Sequence, residues 1–204
     1  MEFTYRGLAL TVLESVYPPA EDSIMLARAA EALHGKVLEM GCGCGLASLA
    51  CAVISPDSLV LGADINPMAV KCAVENAKRN GIRNVRFMES DLFSGLDAKK
   101  FDAILFNPPY LPTSEAERIP GQLNHAFDGG SDGRQVIDRF LEKADAHLKP
   151  GGILLIVQSS LNDLEKTRSA LAAMSYEVEI ADEEKFFFER IYLLKAQKPT
   201  APSA

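Results

Sequence analysis

Three glycines alternate with two cysteines in the segment Glu39–Met40–Gly41–Cys42–Gly43–Cys44–Gly45, directly after a short apolar run. Glycines let the backbone turn sharply and bring its N–H groups close to a ligand. The dinucleotide-binding pattern G-x-G-x-x-G would need a glycine at position 46, where this chain has Leu46. The Glu39 carboxylate would repel a pyrophosphate but attract a cationic amino-acid group. We therefore expect a nucleoside ligand with a cation and no phosphate, as in S-adenosylmethionine; the alternative is a glycine turn that serves packing only.

Two further acids follow the next two apolar runs. Asp64 ends the second run, where an acidic side chain can bind a ribose diol. Asp91 follows the third run, where it could hold an adenine amino group while Leu92 covers the ring. Each acid alone is also compatible with an ordinary turn. Because carboxyl ends of parallel strands meet at one edge of a sheet, three such acids predict a ligand crevice there.

The fourth apolar run ends in Asn107–Pro108–Pro109–Tyr110. Two prolines remove two N–H donors and fix φ, so the Asn107 side chain and the Pro108 carbonyl become rigid acceptors. Two such acceptors would orient a planar amino group, and Tyr110 would place an aromatic face beside it or beside a sulfonium. We therefore predict Asn107, Pro108 and Tyr110 as catalytic residues; the alternative is a stiff turn without a chemical role.

Composition narrows the class of protein. The chain has 204 residues, 48% of them hydrophobic and 24% charged, which excludes disorder, collagen and coiled coil. Its net charge of −7 repels a phosphate backbone, so nucleic-acid binding is not expected. The four cysteines lack disulfide-framework or zinc-site spacing, and no metal site is predicted. With no apolar run long enough for a bilayer and no secretory signal pattern, we expect a cytoplasmic protein.

Strand-length apolar runs alternate with segments of 3.6-residue periodicity, which predicts an α/β fold with helices on both faces of a parallel sheet. The predicted strands are 37–40, 58–63, 85–88, 103–106 and 153–157, and the predicted helices are 20–33, 46–54, 67–80, 135–148 and 161–174. Asn66 and Pro67 predict a helix start, Gly81 a helix end, and Pro150–Gly152 a chain break before the last of these strands.

The C-terminal part departs from this alternation. Two strand-like stretches, Tyr176–Ala181 and Phe186–Ala196, are separated by a short acidic connection and predict an antiparallel hairpin at one sheet edge. Of the triplet Phe186–Phe188, we expect one exposed ring and two in the core. We predict one domain over residues 1–197 and a loosely held tail over 198–204.

These motifs resemble class I S-adenosylmethionine-dependent methyltransferases of the HemK group, which methylate the Gly-Gly-Gln glutamine of peptide-chain release factors. Three segments carry the resemblance: Val16–Ser23, with the sequence VYPPAEDS, Asn107–Tyr110, and Asp128–Arg134 with the following helix. It extends from about Val16 to Leu194 and is similar to the archaeal and eukaryotic branch. It implies a Rossmann-like fold with a mostly parallel seven-stranded sheet and an antiparallel C-terminal strand.

The resemblance also implies residue roles. The cofactor would contact Ser23, Glu39, Gly41, Asp64, Asp91, Leu92 and Asn107, with Gly43 and Gly45 in the same loop. The glutamine would lie against Asn107, Pro108, Pro109, Tyr110 and Leu111. Members of this branch work with a small zinc-binding activator, which we expect at the edge strand Val85–Met88; the alternative is an ordinary edge strand guarded by arginines. The chain departs from its relatives at Pro18, where acids occur, and at Cys42 and Cys44, where serine or threonine is common.

Other functions remain open at this point. The Asn-Pro-Pro-Tyr motif alone is shared with enzymes that methylate adenine N6 or guanine N2, and a protein lysine is a further possible acceptor. A non-catalytic cofactor-binding module is disfavoured by the intact motif, and an oxidoreductase by the missing third glycine of the dinucleotide pattern. Glu21 and Asp22, in the first turn of a helix, are explained by the helix dipole. His34, His125 and His147 are interpreted as structural, with His125 on the substrate side.

Overall fold

The computed structural model describes residues 1–114 and 121–200. Within them, the elements in chain order are β1 (Glu2–Tyr5), β2 (Leu8–Thr11), α1 (Glu21–Ala30), β3 (Lys36–Met40), α2 (Leu46–Ile54), β4 (Leu59–Asp64), α3 (Pro67–Arg79), β5 (Val85–Glu89), β6 (Phe101–Phe106), α4 (Gln135–His147), β7 (Leu148–Ser159), α5 (Leu164–Ala173), β8 (Glu177–Lys185) and β9 (Arg190–Gln197). A short 3₁₀ helix covers Gln122–Ala126.

Seven strands form one sheet in the order β5-β4-β3-β6-β7-β9-β8. The first five of these are parallel, and β9 runs antiparallel to both β7 and β8. Along the chain, β4 and β5 lie successively on one side of β3, and β6 then lies on the other side of β3. This reversal opens a crevice at the carboxyl ends of β3 and β6. The fold class is confirmed, and β5 is an edge strand as expected.

The sheet separates two hydrophobic cores because successive strand residues point to opposite faces. On one face, Val37 and Leu105 pack with helices α1, α2 and α3. On the other face, Leu38 and Ile104 pack with α4 and α5. Helices on both faces were predicted from the alternation of periods. The helix start at Asn66 is also confirmed, since its side chain accepts a hydrogen bond from Met68 N at 2.9 Å.

The hairpin β1–β2 has no counterpart among the predicted elements. It turns at Arg6 and Gly7, which both have positive φ. Its strands are only four residues long, and besides pairing with β1, β2 forms hydrogen bonds with the side chains of Asn76 in α3 and Asn80 at the end of α3. Asn76 Oδ1 accepts from Thr11 N at 2.9 Å and Asn76 Nδ2 donates to Thr11 O at 2.9 Å. Asn80 makes the same pair of bonds with Ala9.

Two predictions for the C-terminal half are wrong. Pro150–Gly152 does not separate helix from strand, because β7 already begins at Leu148. The three residues lie inside β7, where its pairing with β6 is irregular. The second hairpin strand begins at Arg190, so the phenylalanine triplet forms the turn instead. Phe187 and Phe188 are 93% and 87% exposed, which contradicts the expectation of one exposed ring.

The chain after β9 is described only as far as Thr200, so most of the predicted tail lies outside the described residues. In the described part, Lys198 N donates to Gly152 O at 2.9 Å, and Lys198 Nζ pairs with Asp145. The loosely held tail and the single-domain boundary remain predictions.

Candidate active site

The glycine loop leaves β3 and enters α2 in a tight turn. Gly43 N donates to Asp64 Oδ2 at 2.8 Å, which ties the loop to the end of β4. A Cβ on Gly43 would meet nothing within 4 Å, so this side of the loop is open. Gly45, at φ +88°, is closely packed instead: its Cβ would lie 3.0 Å from Ala73 Cβ. The open stretch of the loop is therefore centred on Gly43.

Glu39 lies under this loop and is buried. One of its carboxylate oxygens, Oε2, accepts hydrogen bonds from Ser48 N, at 2.7 Å, and from Ser48 Oγ. Burial raises the pKa of Glu39 to about 8, although the bonds from Ser48 act in the opposite direction. A cation bound beside this carboxyl group would favour its ionised form. Glu39 can therefore recognise a positively charged ligand group.

Asp64 and Asp91 lie at the ends of the next two strands. Asp64 Oδ1 accepts from Asn66 N at 2.8 Å, and burial raises the pKa of this carboxyl, although its backbone donors act in the opposite direction. Asp91 is half exposed and forms an ion pair with Arg139 at 2.8 Å. Leu92 is buried next to it and adopts a positive φ of 48°. The two acids reach the crevice from neighbouring strands, as the sequence predicted.

The Asn107 side chain follows β6 and has only one of its polar atoms paired. Its Nδ2 donates to Asp22 Oδ2 at 2.9 Å, and this carboxylate accepts only, so the amide orientation is fixed. Asn107 Oδ1 is buried and has no hydrogen-bond partner among the described residues. A buried acceptor without a partner costs free energy unless a ligand supplies the donor. The arrangement therefore provides an acceptor for an incoming N–H group.

Asp22 was missed as a site residue. It is 5% exposed, and besides Asn107 it accepts from Tyr110 Oη at 3.1 Å, from Tyr17 Oη at 3.3 Å and from Ser23 N at 2.6 Å. Burial, together with the Asp22 charge, raises the pKa of both tyrosines above its usual value. Asp22 thus holds Asn107, Tyr110 and the start of α1 in one network.

These groups surround one cavity of about 370 Å³, a volume in the range of small-molecule sites. Tyr17 and Phe127 are edge to face in its wall, with ring centroids 5.4 Å apart. The predicted site residues that line it are Ser23, Glu39, Gly41, Gly43, Asp64, Asp91, Leu92, Asn107, Pro108, Pro109, Tyr110 and Leu111. Of the predicted set, Gly45 does not line the cavity, in keeping with its packed position.

The histidines occupy different surroundings. His125 lines the cavity, whereas His34 contacts Ser55 Oγ at 3.0 Å and His147 stacks on Phe93 with ring centroids 4.5 Å apart. No group of three or more His, Cys, Asp or Glu side chains among the described residues could hold a metal ion. The described helices also include none that is long and apolar enough to cross a membrane.

The chain is similar to known methyltransferases. The model of the methyltransferase small domain family matches residues 21–122. A Methanocaldococcus jannaschii protein, named provisionally as a protein N5-glutamine methyltransferase, is 49% identical over 192 residues, covering 94% of this chain and 96% of that protein. Methyltransferase HEMK2 of Mus musculus is 37% identical over 172 residues, covering 79% of this chain and 80% of that protein.

A solved structure adds a likeness in three dimensions. It is a chain of the E. cuniculi Mtq2–Trm112 complex, which is responsible for methylation of the translation termination factor eRF1. The TM-score is 0.69 at 25% sequence identity, and the match covers 90% of this chain and 99% of that chain. The chain therefore belongs to the methyltransferase small domain family and, within it, to the HemK-type protein N5-glutamine methyltransferases.

Proposed function

We propose that this enzyme transfers a methyl group from S-adenosylmethionine to the N5 amide of the Gly-Gly-Gln glutamine of a peptide-chain release factor. The unpartnered, buried Asn107 Oδ1 carries the proposal, because a primary amide supplies the N–H donor that this acceptor lacks. The named activities of the relatives, protein N5-glutamine methylation and methylation of eRF1, support the same acceptor.

The cavity fits S-adenosylmethionine as the methyl donor. Glu39, Asp64 and Asp91 line it, whereas the one lysine or arginine among its described lining residues is Arg139, already paired with Asp91. These carboxylate acceptors suit a ligand with hydroxyl, amino and ammonium donors better than a phosphate. When bound, S-adenosylmethionine supplies an electrophilic methyl group on a sulfonium.

The residues of the chain act mainly by orienting the acceptor. Asn107 Oδ1 would accept one amide hydrogen and the Pro108 carbonyl the other, with the amide plane held beside Tyr110. Two acceptors on these hydrogens raise electron density on the nitrogen and align it for in-line attack. Orientation of this kind accounts for a large part of the barrier reduction in bimolecular reactions. After attack, the nitrogen releases its extra proton to water.

The test is transfer of a labelled methyl group to the release factor of the same organism, with the modified residue located by mass spectrometry. We expect one methyl group on the Gly-Gly-Gln glutamine, and loss of the label with Asn107→Ala. Cofactor binding is measured separately for both proteins. A label on a nucleic acid or on a lysine, or no label on the release factor despite cofactor binding, would contradict the proposal.

We infer further that a small activator subunit docks on β5, and that the enzyme works in the cytoplasm, where its proposed substrate acts in translation. The inference is supported by the edge position of β5 and by the two-subunit Mtq2–Trm112 relative. The Arg86 side chain does not extend across the edge of β5, because its guanidinium donates hydrogen bonds to Arg83 O and Val85 O. Co-purification from native cells is expected to recover the subunit; a fully active, soluble monomer would contradict it.

A further inference from the structure

The most exposed large apolar side chains of the described chain lie at the tip of the β8–β9 hairpin. Phe187 and Phe188 are 93% and 87% exposed, and their rings meet edge to face with centroids 4.6 Å apart. Phe186 beside them is 42% exposed. Neither ring of the pair contributes to the core of this chain. Adjacent exposed aromatic rings of this kind are typical of surfaces that bind another molecule.

The tip is fixed relative to the cavity. Phe186 N donates to Glu189 O at 2.8 Å and closes the turn, and Ser159 Oγ donates to Glu189 Oε2 at 2.7 Å. Glu189, the residue directly after Phe188, lines the cavity. Phe187 and Phe188 therefore lie close to the cavity, because Glu189, the next residue in the chain, lines it.

A second connection joins the hairpin base to the acceptor site. Asn162 Oδ1 accepts from Ser159 N at 3.2 Å, while Asn162 Nδ2 donates to Tyr110 O at 2.6 Å. Ser160 N and Arg190 O form a further bond of 2.8 Å between the same loop and β9. The rings thus have a defined position with respect to Tyr110, as a docking surface for a macromolecular substrate requires.

The charge around the tip selects the class of partner. The stretch 182–190 contains four carboxylates against two cations, and the whole chain carries a net charge of −7. Exposed aromatic rings can also stack on bases, but single-strand binders combine such rings with a positively charged groove. A protein surface with apolar side chains bordered by basic residues is complementary to the tip.

We propose that Phe187 and Phe188 bind the protein substrate outside the cavity, on an apolar patch that flanks the methyl-accepting glutamine and is bordered by basic residues. This inference rests on the proposed function. It adds a second surface that recognises the folded substrate outside the cavity. A short peptide would fill the cavity without reaching the tip, whereas a folded release factor would contact both.

The test compares the double variant Phe187→Ser/Phe188→Ser with Ile54→Ser/Leu59→Ser, a matched control. Ile54 and Leu59 are 57% and 61% exposed; Ile54 ends α2, and Leu59 begins β4, which four strands separate from β8 in the sheet. Methylation of the intact release factor and of a Gly-Gly-Gln peptide is measured with the native enzyme and whatever subunit co-purifies. We expect the double variant to raise KM for the intact factor about tenfold or more, with kcat and peptide methylation unchanged. The control should change neither.

Direct binding of the factor to enzyme loaded with S-adenosylhomocysteine gives a second readout, which should weaken by the same factor. Unchanged KM and affinity for the intact factor would overturn the docking surface, as would an equal loss on factor and peptide. Loss of single-stranded RNA binding, with the factor unaffected, would assign the rings to a nucleic acid instead. If the unmodified enzyme methylates neither the intact factor nor the Gly-Gly-Gln peptide, the proposed function is wrong, and the proposed docking surface is wrong as well.

Discussion

Asp22 shows how one carboxylate can prepare an active site without contacting the reacting atoms. It fixes the orientation of the Asn107 amide, whose Oδ1 has no partner among the described residues, and it accepts the Tyr110 hydroxyl hydrogen. Its sequence position suggested only a favourable charge at a helix start. A second signal was present, because Asp22 shares the helix face of Met25 and Leu26, three and four residues on, and that face is buried. An acid on an apolar face indicates a partner within the protein.

We predict that Asp22→Asn lowers kcat by about 10- to 100-fold, the range for losing charge-assisted hydrogen bonds. Asn107 and Tyr110 would then lose the anionic acceptor that fixes their orientation. Glu21→Gln is the matched control, since Glu21 is exposed in the same turn. Steady-state kinetics and cofactor affinity are measured for both variants. An unchanged kcat for folded Asp22→Asn would show that the network does not orient the acceptor.

Glu39 leads to a prediction about pH. Burial raises its folded-state pKa from 4.5 to about 8. Because the folded-state pKa is the higher one, its contribution to stability is fully present below about pH 4.5 and is lost as the pH rises through 8. Glu39→Gln removes this loss, so the Tm of the ligand-free variant relative to the unmodified protein should rise by on the order of 10 °C from acidic to alkaline pH.

Thermal unfolding across that pH range checks the prediction for Glu39. Glu75→Gln serves as the control, because Glu75 is exposed on α3 and its pKa is lowered by Lys78. Its relative Tm should stay constant above pH 5. A difference in Tm between Glu39→Gln and the unmodified protein that does not vary with pH would mean that folding does not raise the pKa of Glu39.

At the scale of elements, α3 supports the site from a distance. Asn76 is buried, binds both polar backbone atoms of Thr11 in β2, and donates to Cys44 O in the glycine loop at 2.9 Å. One side chain therefore joins the N-terminal hairpin to the cofactor loop. Asn76→Ala should lower Tm by about 5–10 °C, since it leaves buried backbone groups unpaired. It should also weaken cofactor binding, because Cys44 O loses its anchor.

Differential scanning calorimetry and cofactor titration test the role of Asn76, with Glu75→Ala as the control on the exposed side of the same helix. Equal Tm and equal cofactor affinity for Asn76→Ala and the unmodified enzyme would refute a link between the hairpin and the loop. A fall in Tm alone would confine Asn76 to a structural role.

Elements with a regular hydrophobic period were predictable, and elements held by side chains were not. The strands β3 to β7 are apolar runs in the sequence, and the carboxyl ends of β3, β4 and β5 locate Glu39, Asp64 and Asp91. The hairpin β1–β2 is short, and its second strand forms hydrogen bonds with Asn76 in α3 and Asn80 at the end of α3, contacts without a local sequence signal. The triplet Phe186–Phe188 looked like core because phenylalanine is usually buried. At the hairpin tip, position in the fold overrides this preference.

At the scale of the whole molecule, the charge distribution selects the acceptor. Six carboxyl groups line the described part of the cavity, those of Asp22, Glu39, Asp64, Asp91, Asp128 and Glu189, against a single arginine, Arg139. The net charge of −7 adds a repulsive field for a polyanion. Adenine and guanine amino groups have planar geometry like that of an amide, so the motif Asn107–Tyr110 alone would not exclude them.

We therefore predict no measurable methyl transfer to DNA or RNA oligonucleotides, even at about 50 mM salt, where attraction to phosphates is strongest. A Gly-Gly-Gln peptide in the same buffer is the positive control, and label incorporation is the measurement. Repeating the assay at about 200 mM salt separates two causes, because binding through phosphates falls steeply over this range. Oligonucleotide methylation that disappears at the higher salt concentration would reveal a phosphate-binding surface. Methylation that persists would mean that the cavity itself accepts a nucleobase, and that the charge of the molecule does not set its specificity.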